Sequence, residues 1–265
     1  MDPDATTIPP STLVIPCFNE AARLRPPAFL DALDRYPWLG LIFVDDGSSD
    51  GTVDVLRQIV NRADGRARLV VLSRNSGKAE AVRVGMLTAF KSMPVFAGYW
   101  DADLSTPLDA VPALASVLCR NPAIEVVLGS RVQLLGRHIR RSAWRHYLGR
   151  IFATGASLAL SLPVYDTQCG AKLVRVNERT RSIFTEPFRT RWVFDVELIA
   201  RFLQASRAAE PDGPAPAARL YELPLYEWLD EPGSKVRLID GLRAFIDLYR
   251  VRRDYGPRPN GRQGS

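Results

Sequence analysis

Val95-Phe96-Ala97-Gly98-Tyr99-Trp100-Asp101-Ala102-Asp103 is the stretch on which the reading of the fold turns. An unbroken apolar run, Val95 to Trp100, predicts a strand covered on both faces, and it stops at two carboxylates one residue apart. Charges are costly to bury, so such a strand places its acids at the carboxyl edge of the sheet, where open α/β sheets bind their ligands. Asp101 and Asp103 share one side of an extended backbone and together can hold a hard divalent cation. The plainer alternative is a strand-end turn whose aspartates cap a helix after Pro107.

Outward from this stretch the first half alternates. Leu13–Pro16, Leu41–Val44, Leu69–Leu72 and Val126–Leu128 repeat the continuous apolar pattern. Between these runs lie helical patterns at Glu20–Leu33, Thr52–Arg62, Lys78–Phe90 and Leu108–Arg120. Strand and helix in alternation predict a doubly wound, mostly parallel α/β sheet. After residue 130 the rhythm changes. Trp144, Tyr147, Leu148, Ile151, Phe152 and Gly155 follow helical spacing, as do Leu238, Leu242, Phe245, Ile246 and Tyr249, so amphipathic helices are expected in the C-terminal half. A further helix is expected over Trp192–Ala208 and a late strand over Leu220–Tyr226. The expected organisation is a flexible N-terminus (1–10), a catalytic domain (11–235) divided near residue 130, a C-terminal amphipathic helix (236–255) and a disordered basic tail (256–265).

Composition narrows the class. Three widely spaced cysteines, Cys17, Cys119 and Cys169, with no Cys-x-x-Cys pair, argue against a disulfide framework or a zinc site. His138 and His146 lack metal-pair spacing and read as polar helix residues. The first ten residues have no apolar core, so no signal peptide is expected, and no run approaches the roughly 20 apolar residues of a spanning helix. The net charge of +6 gathers in Arg131–Arg150 and again from Lys235 to Arg262, which suits an anionic partner. No interleaved aromatic pattern or standard motif accompanies it, so nucleic acid is not expected.

Chemistry gathers at the strand ends. The first strand closes on Pro16-Cys17-Phe18-Asn19-Glu20, the second on Asp45-Asp46-Gly47-Ser48. A carboxylate at Asp46 can accept the imide N–H of uracil. Arg74-Asn75-Ser76-Gly77-Lys78 adds a cation and a helix start, without Walker-loop spacing.

These residues resemble the inverting family 2 glycosyltransferases of GT-A fold. Within them they are most similar to the polyprenyl-phosphate sugar transferases, especially the dolichyl-phosphate glucosyltransferase branch. The resemblance runs over about residues 11–250 through Val14–Glu20, Asp45–Ser48, Asn75–Lys78, Asp101–Asp103, Gly129-Ser130-Arg131, Asp166-Thr167-Gln168-Cys169-Gly170-Ala171-Lys172, Arg191–Leu198 and Gly233–Val236. The Asp-Thr-Gln-Cys-Gly run is the part most specific to the glucosyl branch. Ala79 replaces the usual second glycine after the lysine, and Ser105 stands where mannosyl-transferring relatives carry a longer polar ligand.

By resemblance, Pro16, Asn19, Glu20, Asp45, Asp46, Lys78 and Asp101 bind the UDP-sugar donor, and Asp101 and Asp103 hold Mg²⁺ or Mn²⁺. Arg131 and Lys235 bind phosphate, while Asp166 and Gln168 touch the sugar or the acceptor. A polyprenyl phosphate acceptor needs no base, because a phosphate monoester is largely dianionic at neutral pH. A hydroxyl acceptor on a glycan or small molecule does need one, and Asp166, Asp195 and Glu197 are candidates. Asp195 and Glu197 lie about 200° apart on a helix, so at most one faces the site. A nucleotidyltransferase is a competing reading, which would release pyrophosphate. The anchors and spanning helices of many family members are not visible in this sequence. The expectation is therefore peripheral attachment to the cytoplasmic face of an anionic membrane through at least one of the helices of Trp144–Phe152 and Leu242–Tyr249, with their flanking arginines.

Overall fold

The computed structural model describes residues 8–140, 143–229 and 238–256. Its main sheet has seven strands: β1 (Ser11–Cys17), β2 (Leu39–Asp45), β3 (Ala67–Val71), β4 (Phe96–Tyr99), β5 (Val126–Ser130), β7 (Lys172–Arg175) and β8 (Leu220–Pro224). They lie in the order β3-β2-β1-β4-β7-β5-β8, and all are parallel except β7, which runs against both neighbours. A separate pair joins β6 (His138–Arg140) to β9 (Glu227–Leu229).

Strand alternation sorts the core into two layers. Leu13 and Ile15 of β1, with Leu41 and Phe43 of β2, face Phe29 and Leu33 of α1 (Pro26–Arg35) and Leu56 and Ile59 of α2 (Thr52–Arg62). Leu114 and Leu118 of α4 (Val111–Arg120) complete that layer, and Phe29 meets Phe43 edge-on at 5.1 Å. Val14, Ile42 and Val44 point the other way, towards Val82 and Met86 of α3 (Lys78–Lys91) and the C-terminal helices. Those helices are α5 (Ala143–Leu160), α6 (Glu178–Ser182), α7 (Phe194–Ala209) and α8 (Leu238–Tyr255). Fully burying a side chain such as Phe29 or Leu13 contributes about 1.5–3 kcal/mol, so the two layers drive folding.

Three local expectations change. Helix α1 begins at Pro26, not Glu20, because Pro26 and Pro27 belong in a first helical turn, and residues 20–24 form a turn closed on the Glu20 carbonyl. His138 lies on a strand, with its ring against Tyr226, rather than on a helix. Strand β7 carries no alternating signal and was not expected. On α8 the inward face is Ala244, Leu248 and Val251, leaving Phe245, Ile246 and Tyr249 exposed. The side chains of Trp144, Tyr147, Leu148, His146 and Leu242 lie outside the described residues, as do Lys235, the first seven residues and the tail after residue 256.

Candidate active site

Parallel strands bring the ends of β1, β2 and β4 to one edge. Because β7 runs backwards, its beginning joins them: Lys172 is in register with Tyr99 of β4 and Leu128 of β5. The 166–172 turn is therefore delivered to the same edge as Asp101.

The loops that follow β1 and β2 are knitted together through backbone and short side chains. Asn19 donates its N–H to Ser48 Oγ at 2.9 Å and accepts from the N–H of Ser49 at 2.9 Å. The N–H of Glu20 reaches the Thr52 hydroxyl at 2.8 Å, and the Glu20 carboxylate pairs with Arg23. Pro16 lies just before this loop, half-buried on β1. Asp46 is buried, and its two oxygens accept the N–H groups of Ser76 and Gly77, each at 2.7 Å. It thereby ties the 74–77 loop to the end of β2. Asp45 is wholly buried; Oδ2 accepts from Ser48 N–H while Oδ1 has no partner among the described residues. Gly47, at φ +67, lets these loops meet, since a Cβ there would lie 2.5 Å from the Arg74 carbonyl carbon.

Asp101 and Asp103 follow β4. Lys78, at the start of α3, pairs with Asp101 Oδ1. Burial opposes the Asp101 charge, but Lys78, Lys172 and Arg131 outweigh it and hold the carboxyl below its ordinary range. Burial likewise opposes the Lys78 ammonium, and Asp101, Asp195 and Asp103 more than compensate. Asp103 Oδ1 caps the N–H of Ser105 at 3.0 Å. The Asp101 carboxylate lies directly on Gly170: a Cβ there would sit 1.9 Å from Asp101 Oδ2. No group of three or more acids, histidines or cysteines among the described residues is placed to hold a metal ion by itself. Two carboxylates are what Mg²⁺-type sites commonly take from protein when substrate phosphates supply the rest, so the donor set suits a hard cation bound together with a diphosphate.

On the other side of β4, Arg131 follows β5 and is gripped by Asp166 through Nε (2.6 Å) and an Nη (2.8 Å). Its backbone N–H adds a third bond to the same carboxylate, and its guanidinium lies 5.4 Å from the Trp228 ring centre. Burial disfavours the Arg131 charge, yet Asp166 keeps its pKa above the ordinary arginine value. Asp166 is itself held: its N–H donates to Glu222 of β8 at 2.6 Å, and its carboxylate accepts the N–H of Gln168 at 3.1 Å. The Gln168 side-chain amide nitrogen is buried without a partner among the described residues. Asp166 thus aims Arg131, whose planar fork retains unspent N–H groups.

Of the two acids on α7, Asp195 is turned towards this edge. Its Oδ1 accepts from Tyr99 OH and Lys172 Nζ, and its charge reaches Lys78. Glu197 is fully buried elsewhere. Its oxygens accept from the N–H groups of Arg189 and Thr190, the Thr190 hydroxyl, Arg201 and the Tyr255 hydroxyl. As a candidate base Glu197 is therefore displaced by geometry: it anchors a loop and α8. Glu222 and Lys172 were not singled out from sequence, although a charge inside each short apolar run was the available signal.

Residues 12–178 match the family described as Glycosyl transferase family 2. The chain is 29% identical over 254 residues to a protein named dolichyl-phosphate beta-glucosyltransferase ALG5C from Trichomonas vaginalis, covering 91% of this chain and 70% of that one. It is 34% identical over 205 residues to the dolichyl-phosphate beta-glucosyltransferase of Drosophila melanogaster, covering 71% and 61%. Among solved structures, glucosyl-3-phosphoglycerate synthase from Mycobacterium tuberculosis in complex with Mn²⁺ and UDP-glucose superposes with a TM-score of 0.63 at 19% identity, over 97% of this chain and 83% of that one. This shared architecture is the GT-A fold.

Removing one partner of a buried ion pair leaves the other uncompensated, at a cost of about 3–5 kcal/mol. Glu197→Ala, which strands Arg201 and frees the 189–190 loop, should lower unfolding free energy by that amount in a urea titration. A change under about 1 kcal/mol would contradict the anchoring role.

Proposed function

As a member of glycosyl transferase family 2 the chain is a sugar-transferring enzyme, and we propose that it moves glucose from UDP-glucose to a polyprenyl phosphate with inversion at the anomeric carbon. One observation carries this reading. A carboxylate pair with an adjacent lysine and an arginine pre-oriented by Asp166 converge on one sheet edge, in a chain similar along most of its length to proteins named dolichyl-phosphate beta-glucosyltransferase.

Asp45 and Asp46, with Pro16, Asn19 and Glu20, form the uridine side; Asp45 Oδ1 is the buried acceptor left unpaired there. Asp101 and Asp103 would hold Mg²⁺ or Mn²⁺, which supplies Lewis-acid neutralisation of the departing diphosphate. Lys78 adds a positive charge on the same side. Arg131 binds the acceptor phosphate and fixes its direction of approach, so its attack is a matter of positioning two ions. Lys235, outside the described residues, remains a proposed second phosphate ligand, and Gln168 offers its unpaired amide to the sugar.

A hydroxyl acceptor is the second reading, favoured by Asp195. This acid has one oxygen without a partner among the described residues, and a hydroxyl nucleophile needs such a base. A radiolabel assay decides: UDP- and GDP-sugars are each offered with a short polyprenyl phosphate, a polyprenyl alcohol and glycerol-type hydroxyls. Label should pass from UDP-glucose into the lipid phosphate alone, with release of UDP, and should fall to background in excess chelator and in Asp103→Ala. Transfer to hydroxyls, or full transfer in chelator, would overturn the proposal.

Access to the lipid completes the reading. Among the described residues no helix is long and apolar enough to cross a membrane. Ile151 and Leu158 of α5 and Phe245, Ile246 and Tyr249 of α8 face solvent, and Leu134 and Leu135 are exposed on the loop that follows Arg131. Such surfaces beside arginines support attachment to the cytoplasmic face of an anionic bilayer. The protein should co-sediment with phosphatidylserine vesicles at low salt and be released as salt rises; no binding at low salt would count against it.

A further inference from the structure

Lys172 is the least expected charge in the molecule. It sits at the head of β7 in the middle of the sheet and is 1% exposed, yet lysine is almost never fully buried unless paired. Its ammonium donates to the Cys169 carbonyl at 2.6 Å and to Asp195 Oδ1 at 2.5 Å, and it lies 5.2 Å from the centre of the Tyr99 ring. The Tyr99 hydroxyl donates to the same Asp195 oxygen. All of these partners belong to the candidate site. Cys169 precedes Gly170, the shelf on which the Asp101 carboxylate rests, and its turn also carries Asp166, the grip on Arg131. Among the described residues the other Asp195 oxygen has no partner.

A lysine that served only to fill the core would be poorly chosen, because an apolar residue of similar volume avoids the desolvation cost. What a buried ammonium adds is direction: it fixes a carboxylate that must stay charged in a nearly dry place, and it pins a carbonyl at the same time. We propose that Lys172 is a positioning residue of the transfer reaction, acting through Asp195 and through the 169–170 turn without touching substrate. Its side chain is the tie between the metal-side acid Asp101, the phosphate-side pair Arg131–Asp166 and the α7 acid Asp195. This rests on the glycosyl-transfer reading above, but not on which acceptor is used.

The test uses the full chain and whichever acceptor the wild type glucosylates, so a wrong acceptor assignment does not decide the fate of Lys172. In Lys172→Ala, kcat should fall about 100-fold, the scale of a 1 Å misplacement, while KM for UDP-glucose moves less than about threefold. Propylammonium, which replaces the missing ammonium, should restore about tenfold of the loss, and 1-propanol, which only fills the space, should not. Asp195→Asn combined with Lys172→Ala should be no worse than the poorer single variant, as expected of residues acting as one unit. A kcat within twofold of wild type, equal rescue by 1-propanol, or additive losses would overturn the proposal. If Lys172→Ala does not fold, Tyr99→Phe removes the other donor to Asp195 without leaving a buried charge. It should lower kcat severalfold at constant KM, and a wild-type kcat there would overturn the proposal as well.

Discussion

The contact on which the site depends is between a carboxylate and a bare Cα. Asp101 rests on Gly170, and any side chain at residue 170 would occupy the space its oxygens fill. That contact exists only because β7 is inserted antiparallel between β4 and β5, so that its first residues arrive where the parallel strands end. A purely parallel sheet would carry the Asp166–Lys172 turn to the opposite edge. The reversed strand therefore gives the site two sides, with the acids and Lys78 on one and the Arg131–Asp166 pair on the other.

Charge is concentrated here at some cost to stability, and the protein offsets that cost by pairing. Lys78 faces Asp101, Arg131 faces Asp166, and Lys172 faces Asp195. Among the described residues each pair leaves one partner with unspent hydrogen-bonding capacity, so the site is organised before substrate arrives and gains from not having to reorganise. Glu197 follows the opposite rule. Its carboxylate is saturated by four residues, Arg189, Thr190, Arg201 and Tyr255, with Thr190 and Arg201 each giving two bonds, so nothing is left for chemistry.

Much of this was legible in the residues alone. Strands β1, β2, β4 and β5 announce themselves as continuous apolar runs, and the acids that end β2 and β4 mark the edge. Asp101 and Asp103 could be named because a charge ending an apolar strand has few other places to be, Lys78 as a cation at a helix start, and Arg131 through the family resemblance. What was not legible depends on contacts across the chain. Strand β7 is four residues long and begins with a lysine, so no periodicity reveals it. The choice between Asp195 and Glu197 needed α7 in place. Asp166 reads as a substrate contact by sequence, whereas its carboxylate is committed to Arg131, a pairing 35 residues apart.

Through Gly170 the 166–172 turn sets the position of the Asp101 carboxylate. Calorimetric titration of UDP in the presence of Mn²⁺ into wild type and Gly170→Ala tests it most directly, with circular dichroism and a melting curve to show that both are folded. A methyl group that pushes Asp101 aside should weaken UDP binding at least about tenfold, or 1.4 kcal/mol, in a folded protein. Equal affinity in the two proteins would contradict the account.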